Sequence, residues 1–292
     1  MPVDFLTEEQ CQSYAKYPVT LSQDQLDKYF YLDDKDKEFI YACRRDYNKF
    51  GYAIQLTTVR FLGTFLTNPI DVPNSAIEYI ALQLSIEIPD DLNHYLDRKA
   101  TRLTHCNEIK NQFDYRDLNG IWGFRLTRWL YSQVWFGNER PSILFERCRI
   151  WLINRKVLLP GISTLTILIA KVRDRVSKRL WRRLTLLVNS NQKEQLENLL
   201  SVPNGKRYSK LDDLKKGPTH ISSVGLVQAL QRYKFICDLG LGQINIGNIP
   251  KAKINYLARY VTLSWAPSIA RMPDDRRIAV LFSFAYVYET CL

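Results

Sequence analysis

Four long cations, Lys171, Arg175, Lys178 and Arg182, recur at spacings of four, three and four. On a helix that spacing puts them on one stripe, while Leu165, Leu168, Ile169, Val172, Val176, Leu180, Leu184 and Leu187 form another. One face can pack while the other lies along a phosphate backbone, where each neutralised charge releases counterions. With Arg173, Arg179 and Arg183, residues 171–183 hold seven Lys or Arg against the single acid Asp174. A merely solvated face is the plain alternative, and so one-sided a charge argues against it.

A second group mixes donors and acceptors: Arg44, Arg45, Asn48 and Lys49, leading into Gln55, Thr57, Thr58 and Arg60. Arg reads guanine edges and Asn or Gln reads adenine edges in the major groove, so a helix over 47–62 is expected to act as a recognition helix. Its plain alternative is ordinary helix surface, with Arg60 paired to an acid. Weaker patches are Arg98-Lys99 with Arg102, and Arg125 with Arg128. The latter two lie on a tryptophan-rich stretch, where stacking on the rings competes with DNA contact. Trp122, Trp129, Trp135 and Trp151 fall at helical spacing and are expected in the core.

No catalytic constellation emerges. Asp33-Asp34, Asp90-Asp91, Asp212-Asp213 and Asp274-Asp275 stand at expected helix starts, where carboxylates cap and favour the dipole. Cys11, Cys43, Cys106, Cys148, Cys237 and Cys291 include no C-x-x-C pair and read as buried thiols. His94, His105 and His220 lack the spacing of a metal site, and no phosphate loop or nucleophile elbow is present. Neither a catalytic residue nor a cofactor is expected of these residues.

The elements that must position these groups are helices. Helical periodicity dominates and strand-like alternation is never sustained, so the fold is expected to be all-α, with several small helix-turn-helix-like DNA-binding modules in tandem. Ser22 or Asp24 caps a helix through Leu32, Asp33-Asp34 start one over 35–45, and the 47–62 helix ends at Gly63. Further helices are expected over 75–84, about 90–96 behind Pro89, and 98–113 with Ala100, Leu103, Cys106 and Ile109 inward. An aromatic helix lies between Gly120 and Gly137, Pro141 opens the next, and Ser163 or Thr164 caps the long basic one to about Val188. Beyond Asn189-Ser190-Asn191 come helices over 193–200, 222–239, 250–263 and from 274 on, with a loop at Gly217-Pro218. This gives a helix-turn-helix-like module at 1–67, a connector at 68–97, a basic DNA-binding module at 98–188 and a linker or dimerisation-type region at 189–292. The last is expected to be cut short, because its final apolar helix stops without a cap.

The 292 residues are 46 % apolar and 24 % charged, which excludes a wholly disordered chain. No apolar run reaches the roughly 18 residues that span a bilayer, and the N-terminus lacks a signal-peptide pattern, so a cytoplasmic protein is expected. The net charge of +11 is unevenly spread. Residues 1–97 hold 8 Lys+Arg against 16 Asp+Glu, 98–187 hold 19 against 6, and 188–292 hold 14 against 8. A basic segment of that density is the footprint of a polyanion binder. The basic segments also carry core-type apolar faces, which favours nucleic acid over a membrane surface.

Several runs resemble one family. They are Met1–Gln10 (MPVDFLTEEQ), Tyr29–Asp36 (YFYLDDKD), Arg44–Leu66 (RRDYNKFGYAIQLTTVRFLGTFL), Trp129–Trp135 (WLYSQVW), Glu139-Arg140-Pro141, Trp151–Gly161 (WLINRKVLLPG) and Arg179–Leu184 (RLWRRL). Together they resemble the start of the Tn-three family of replicative, cointegrate-forming bacterial transposases. The likeness covers at least residues 1–187 and weakens after 190. It implies a much longer protein whose N-terminal portion binds terminal inverted repeats in double-stranded DNA. It also implies a C-terminal RNase H-like domain whose acidic triad, matched by no position here, holds Mg2+. The full-length protein is implied to be a homodimer working on the bacterial nucleoid. Lys49-Phe50 stands where the family pattern has Arg-Leu, which keeps a phosphate contact but loses bidentate base reading. The expectation is sequence-specific binding of transposon ends. The alternative is a scaffold whose acidic first third docks on the basic middle, with only non-specific DNA contact. RNA binding would lack the strand-borne aromatics of common RNA modules.

Overall fold

A computed structural model describes residues 5–88, 92–216 and 222–290. The helix start at Pro89, the loop at Gly217-Pro218, His220, Cys291 and the end of the last helix lie outside the described residues. In chain order the helices are α1 (Glu8–Ser13), α2 (Gln23–Tyr29), α3 (Asp34–Tyr41), α4 (Asp46–Leu62), α5 (Asn74–Leu84), α6 (His94–Asp97), α7 (Lys99–Gln112) and α8 (Gly120–Phe136). They continue with α9 (Pro141–Ile153), α10 (Ile162–Leu186), α11 (Ser190–Asn198), α12 (Lys210–Lys215), α13 (Ser223–Cys237), α14 (Lys251–Leu263), α15 (Ala266–Ala270) and α16 (Asp274–Thr290). Among the described residues there is no strand, only an isolated bridge between Arg116 and Val157, so the fold is all-α.

Local chemistry sets the helix ends. Thr7, Ser22, Asp33 and Asn189 each close a reciprocal capping box that satisfies two orphan amides. Pro141 occupies the first turn of α9, and Gly63 ends α4 at φ 77°, a conformation that costs glycine little. The helix begun at Ser22 stops at Tyr29 rather than Leu32. Leu32 turns inward, fully buried, and its amide donates to Gln83 Oε1 at 2.7 Å.

The chain forms two compact units, Met1–Trp129 with Arg140–Ala170, and Leu130–Glu139 with Lys171–Leu292. In the first, Phe30, Ile40, Phe50, Ile54, Val59, Ile80 and Ile109 belong to one apolar core. Helix α4 runs through it with every residue from Phe50 to Val59 buried. The Tyr95 ring lies so close to Gly51 that a β-carbon there would sit 2.4 Å from it.

Helix α7 turns differently from its apolar pattern: Ala100 and Leu103 face solvent, while His105 and Ile109 are buried. The His105 imidazole explains the turn. Its Nδ1 meets the Tyr95 hydroxyl at 2.9 Å, its Nε2 lies 3.8 Å from Cys43 Sγ, and its ring packs on Tyr52 and Tyr95. Burial pulls its pKa down to about 4 and pushes the Cys43 thiol up to about 11. Trp151 is buried and Trp122 and Trp129 are half-buried, tilted against it.

In the second unit α14 packs along α16, with α11 and α13 also against α16. Residues Ile278 to Ala285 of α16 are buried on every side, and Trp135 is buried as well. Among the described residues no helix is long and apolar enough to cross a membrane.

Candidate nucleic-acid interface

Helix α10 separates its two stripes as the spacing requires. Leu165, Ile169, Val172, Val176, Leu180 and Leu184 are buried, and Leu168 and Leu187 are half-buried. Lys171, Arg175, Lys178 and Arg182 are all exposed. Asp174 pairs with Lys178 at 2.8 Å, yet the Lys178 side chain stays 69 % exposed, so the pair leaves the ammonium available.

Two of the remaining cations of α10 are held by neighbours in the same unit. The Arg179 guanidinium lies 5.8 Å from both the Tyr131 and Trp135 rings and donates to Tyr131 Oη at 3.0 Å. Arg183 lies 5.3 Å from the Trp135 ring. Such stacking orients a guanidinium without neutralising it. Arg173 is half-buried. Nearby, the buried Lys253 ammonium donates to the Gly137 carbonyl at 2.6 Å; burial, then the charge of Arg173, depresses its pKa to about 8.

Helix α4 behaves otherwise, and the recognition-helix expectation is corrected at four positions. Gln55 is buried, its amide nitrogen donating to the Tyr95 hydroxyl and its oxygen accepting from Cys106 Sγ. Thr57 is buried and donates to the Ala53 carbonyl at 2.9 Å, and Thr58 is buried and accepts from the Tyr17 hydroxyl at 2.7 Å. Arg60 clamps the buried Asp36 through two bonds of 2.5 and 2.7 Å, the acid pairing named as its plain alternative. These four side chains satisfy interior groups and present nothing to a base edge.

At the start of α4 the picture is mixed. Arg44 and Arg45 are exposed, Arg45 lying 5.8 Å from the Tyr47 ring. Asn48 and Lys49 are half-buried, and Lys49 pairs with Asp46 at 2.9 Å.

Of the weaker patches, Arg98, Arg125 and Arg128 are exposed, whereas Arg102 is half-buried and its Nε is buried without a partner. Arg125 sits 4.8 Å from the Trp122 ring and Arg116 sits 5.2 Å from it. Arg116 and Trp122 line a groove of about 640 Å³ with Asn107, Lys110, Asn111, Asp117 and Asn119, among others. Lys156 stands beside it: the Arg116 amide donates to the Lys156 carbonyl at 2.9 Å, and Lys156 Nζ donates to Phe113 O at 3.2 Å.

Sequence reasoning did not single out Asn107, Asn111 or Arg116. The signal was there in the row Lys99, Leu103, Asn107 and Asn111, one helical turn apart throughout and free of any residue the core uses. Among the described residues no three His, Cys, Asp or Glu side chains gather as a metal site.

A family model described as "Domain of unknown function (DUF4158)" matches residues 5–172. The chain is 41 % identical over 290 residues, 99 % of its length, to the transposase for transposon gamma-delta of Escherichia coli (strain K12). It is 28 % identical over 282 residues to the transposase for transposon Tn1546 of Enterococcus faecium, 95 % of this chain. The transposase for transposon Tn501 of Pseudomonas aeruginosa is 23 % identical over 260 residues, 89 % of this chain. The chain spans 29 %, 28 % and 26 % of the length of these three relatives.

Proposed function

Because this chain belongs to the Tn-three family of transposases and corresponds to an N-terminal region of them, we propose that it binds the terminal inverted repeats of a transposon sequence-specifically. The observation that carries this reading is α10, where Lys171, Arg175, Lys178 and Arg182 stand in solvent beside a single acid while the apolar row is buried. Long cations in a stripe, with no amide among them, suit phosphates rather than bases, so α10 supplies affinity and register. Strand cutting, with the Mg2+ it would need, is left to parts of the transposase beyond these residues. The full-length protein would work as a homodimer on DNA in the bacterial cytoplasm.

Fluorescence anisotropy of the 292-residue chain on an inverted-repeat duplex and on its scramble, across a salt series, tests the reading. Tighter binding of the repeat, with affinity falling steeply as salt rises, is the expected result. Equal binding of both duplexes at moderate salt refutes sequence-specific recognition. Binding unmoved by charge reversal at Arg175, Lys178 and Arg182 would instead favour a scaffold whose own acidic and basic segments meet.

A further inference from the structure

With Gln55, Thr58 and Arg60 of α4 engaged in the interior, base reading by the first unit falls to another helix. We propose that α7 is its base-reading helix, Asn107 and Asn111 meeting base edges in a major groove while cations at both ends of the helix hold the phosphate walls. The inference rests on the DNA-binding reading above and adds to it a reading element that the sequence pattern assigned to another helix.

The row Lys99, Leu103, Asn107 and Asn111 is exposed along its whole length, and α7 turns its buried side, His105 and Ile109, the other way. Neither asparagine side chain is hydrogen-bonded within the protein among the described residues, so both amides are free to pair with an adenine edge. Leu103, 53 % exposed one turn before Asn107, is an apolar group of the kind that meets a thymine methyl.

Cations bracket the row. Lys99 and Arg98 stand at its N-terminal end; Lys110 and Arg116 line the groove at the other, and Arg125 lies over the Trp122 ring that also lines it. Lys99 and Lys110 are eleven residues apart, roughly 16 Å along the axis at 1.5 Å per residue. That matches the scale of the two phosphate walls of a major groove about 12 Å wide. Lys110 is held by Asp117 at 3.1 Å, while the Arg116 and Arg125 guanidinium groups are in no ion pair among the described residues and lie against the Trp122 ring. Duplex RNA fits poorly, because its major groove is too deep and narrow for a helix.

The test uses the 292-residue chain and the Asn107→Ala/Asn111→Ala double variant, each on the inverted-repeat duplex, its scramble, and an RNA duplex of the repeat sequence. The expected result is a wild-type preference for the repeat that drops at least tenfold in the double variant, with scramble affinity within twofold and the thermal melt unchanged. Arg116→Ala/Arg125→Ala should instead weaken both DNA duplexes alike. A preference that survives in the double variant overturns the assignment of α7 while leaving DNA-end binding intact. A wild type that never prefers the repeat overturns the underlying reading, and tighter binding of the RNA duplex overturns the choice of DNA.

Discussion

Helices α4 and α10 both carry Arg, Lys and polar side chains at helical spacing, yet one is an interior strut and the other a charged surface. The difference lies in what each polar group finds nearby. On α4, Gln55 has Tyr95 and Cys106, Thr58 has Tyr17, and Arg60 has the carboxylate of Asp36. Those partners lie between 24 and 51 residues away in sequence. On α10 the four stripe cations find one acid, Asp174, a single turn before Lys178. Buried polar groups must be paired and solvated ones need not be, so unspent charge on a surface marks a binding face better than polar variety does.

The largest effect follows from the Arg60–Asp36 pair. Arg60→Ala leaves Asp36, 1 % exposed, as an uncompensated buried carboxylate, and should destabilise the first unit by about 3 kcal/mol. Urea or thermal unfolding measures it, and below the melt the variant should hold DNA as the wild type does. A variant that melts normally but loses preference for the inverted repeat would restore α4 as a reading helix.

How far these roles were legible depends on the range of the interactions. Capping residues at Ser22 and Asp33, the stop at Gly63 and the start at Pro141 act within a few residues, and the helices begin and end there. The split of α10 into an apolar row and a cationic stripe is likewise a local property of one helix. The interior role of α4 depends on Tyr17, Asp36, Tyr95 and Cys106, which periodicity alone does not bring to it. One local clue existed: between Lys49 and Arg60 the helix has no charge on any face, the mark of a helix surrounded by protein. Thr57 blurred it by looking polar, although its hydroxyl returns to the Ala53 carbonyl of its own helix at 2.9 Å. Leu103 misled in the opposite sense, an apolar residue at a plausible core position that the packing of His105 turns outward.

The contrast sharpens with pH, because the interior of the first unit holds an imidazole whose pKa burial has lowered. Burial holds His105 neutral down to about pH 4, whereas in the unfolded chain it takes up its proton near 6.5. Between those values the unfolded state binds more protons, so the stabilisation present above pH 6.5 is lost as pH falls towards 4, amounting to about 2–3 kcal/mol. Denaturant unfolding at pH 7 and pH 4.5 should show that loss in the wild type beyond what His105→Gln shows. Equal slopes in the two proteins would mean that the imidazole is solvated and that the network around α4 is looser than its distances imply.

The smallest effect on stability and the most diagnostic for binding belongs to single charges of α10. Arg175 is exposed, so Arg175→Ala should change unfolding by no more than about 0.5 kcal/mol. Its loss should weaken the inverted-repeat and scrambled duplexes equally and lower the salt slope by about one unit, since one phosphate contact is gone. Asp174→Ala should act with the opposite sign, because it removes the stripe's only acid and frees Lys178 from its 2.8 Å pair. Both duplexes should then bind more tightly, and more so at low salt, where the repulsion between Asp174 and phosphate is least screened. If Arg175→Ala instead costs only the repeat, Arg175 reads a base, and the division between a positioning helix and a reading helix falls at α10 itself.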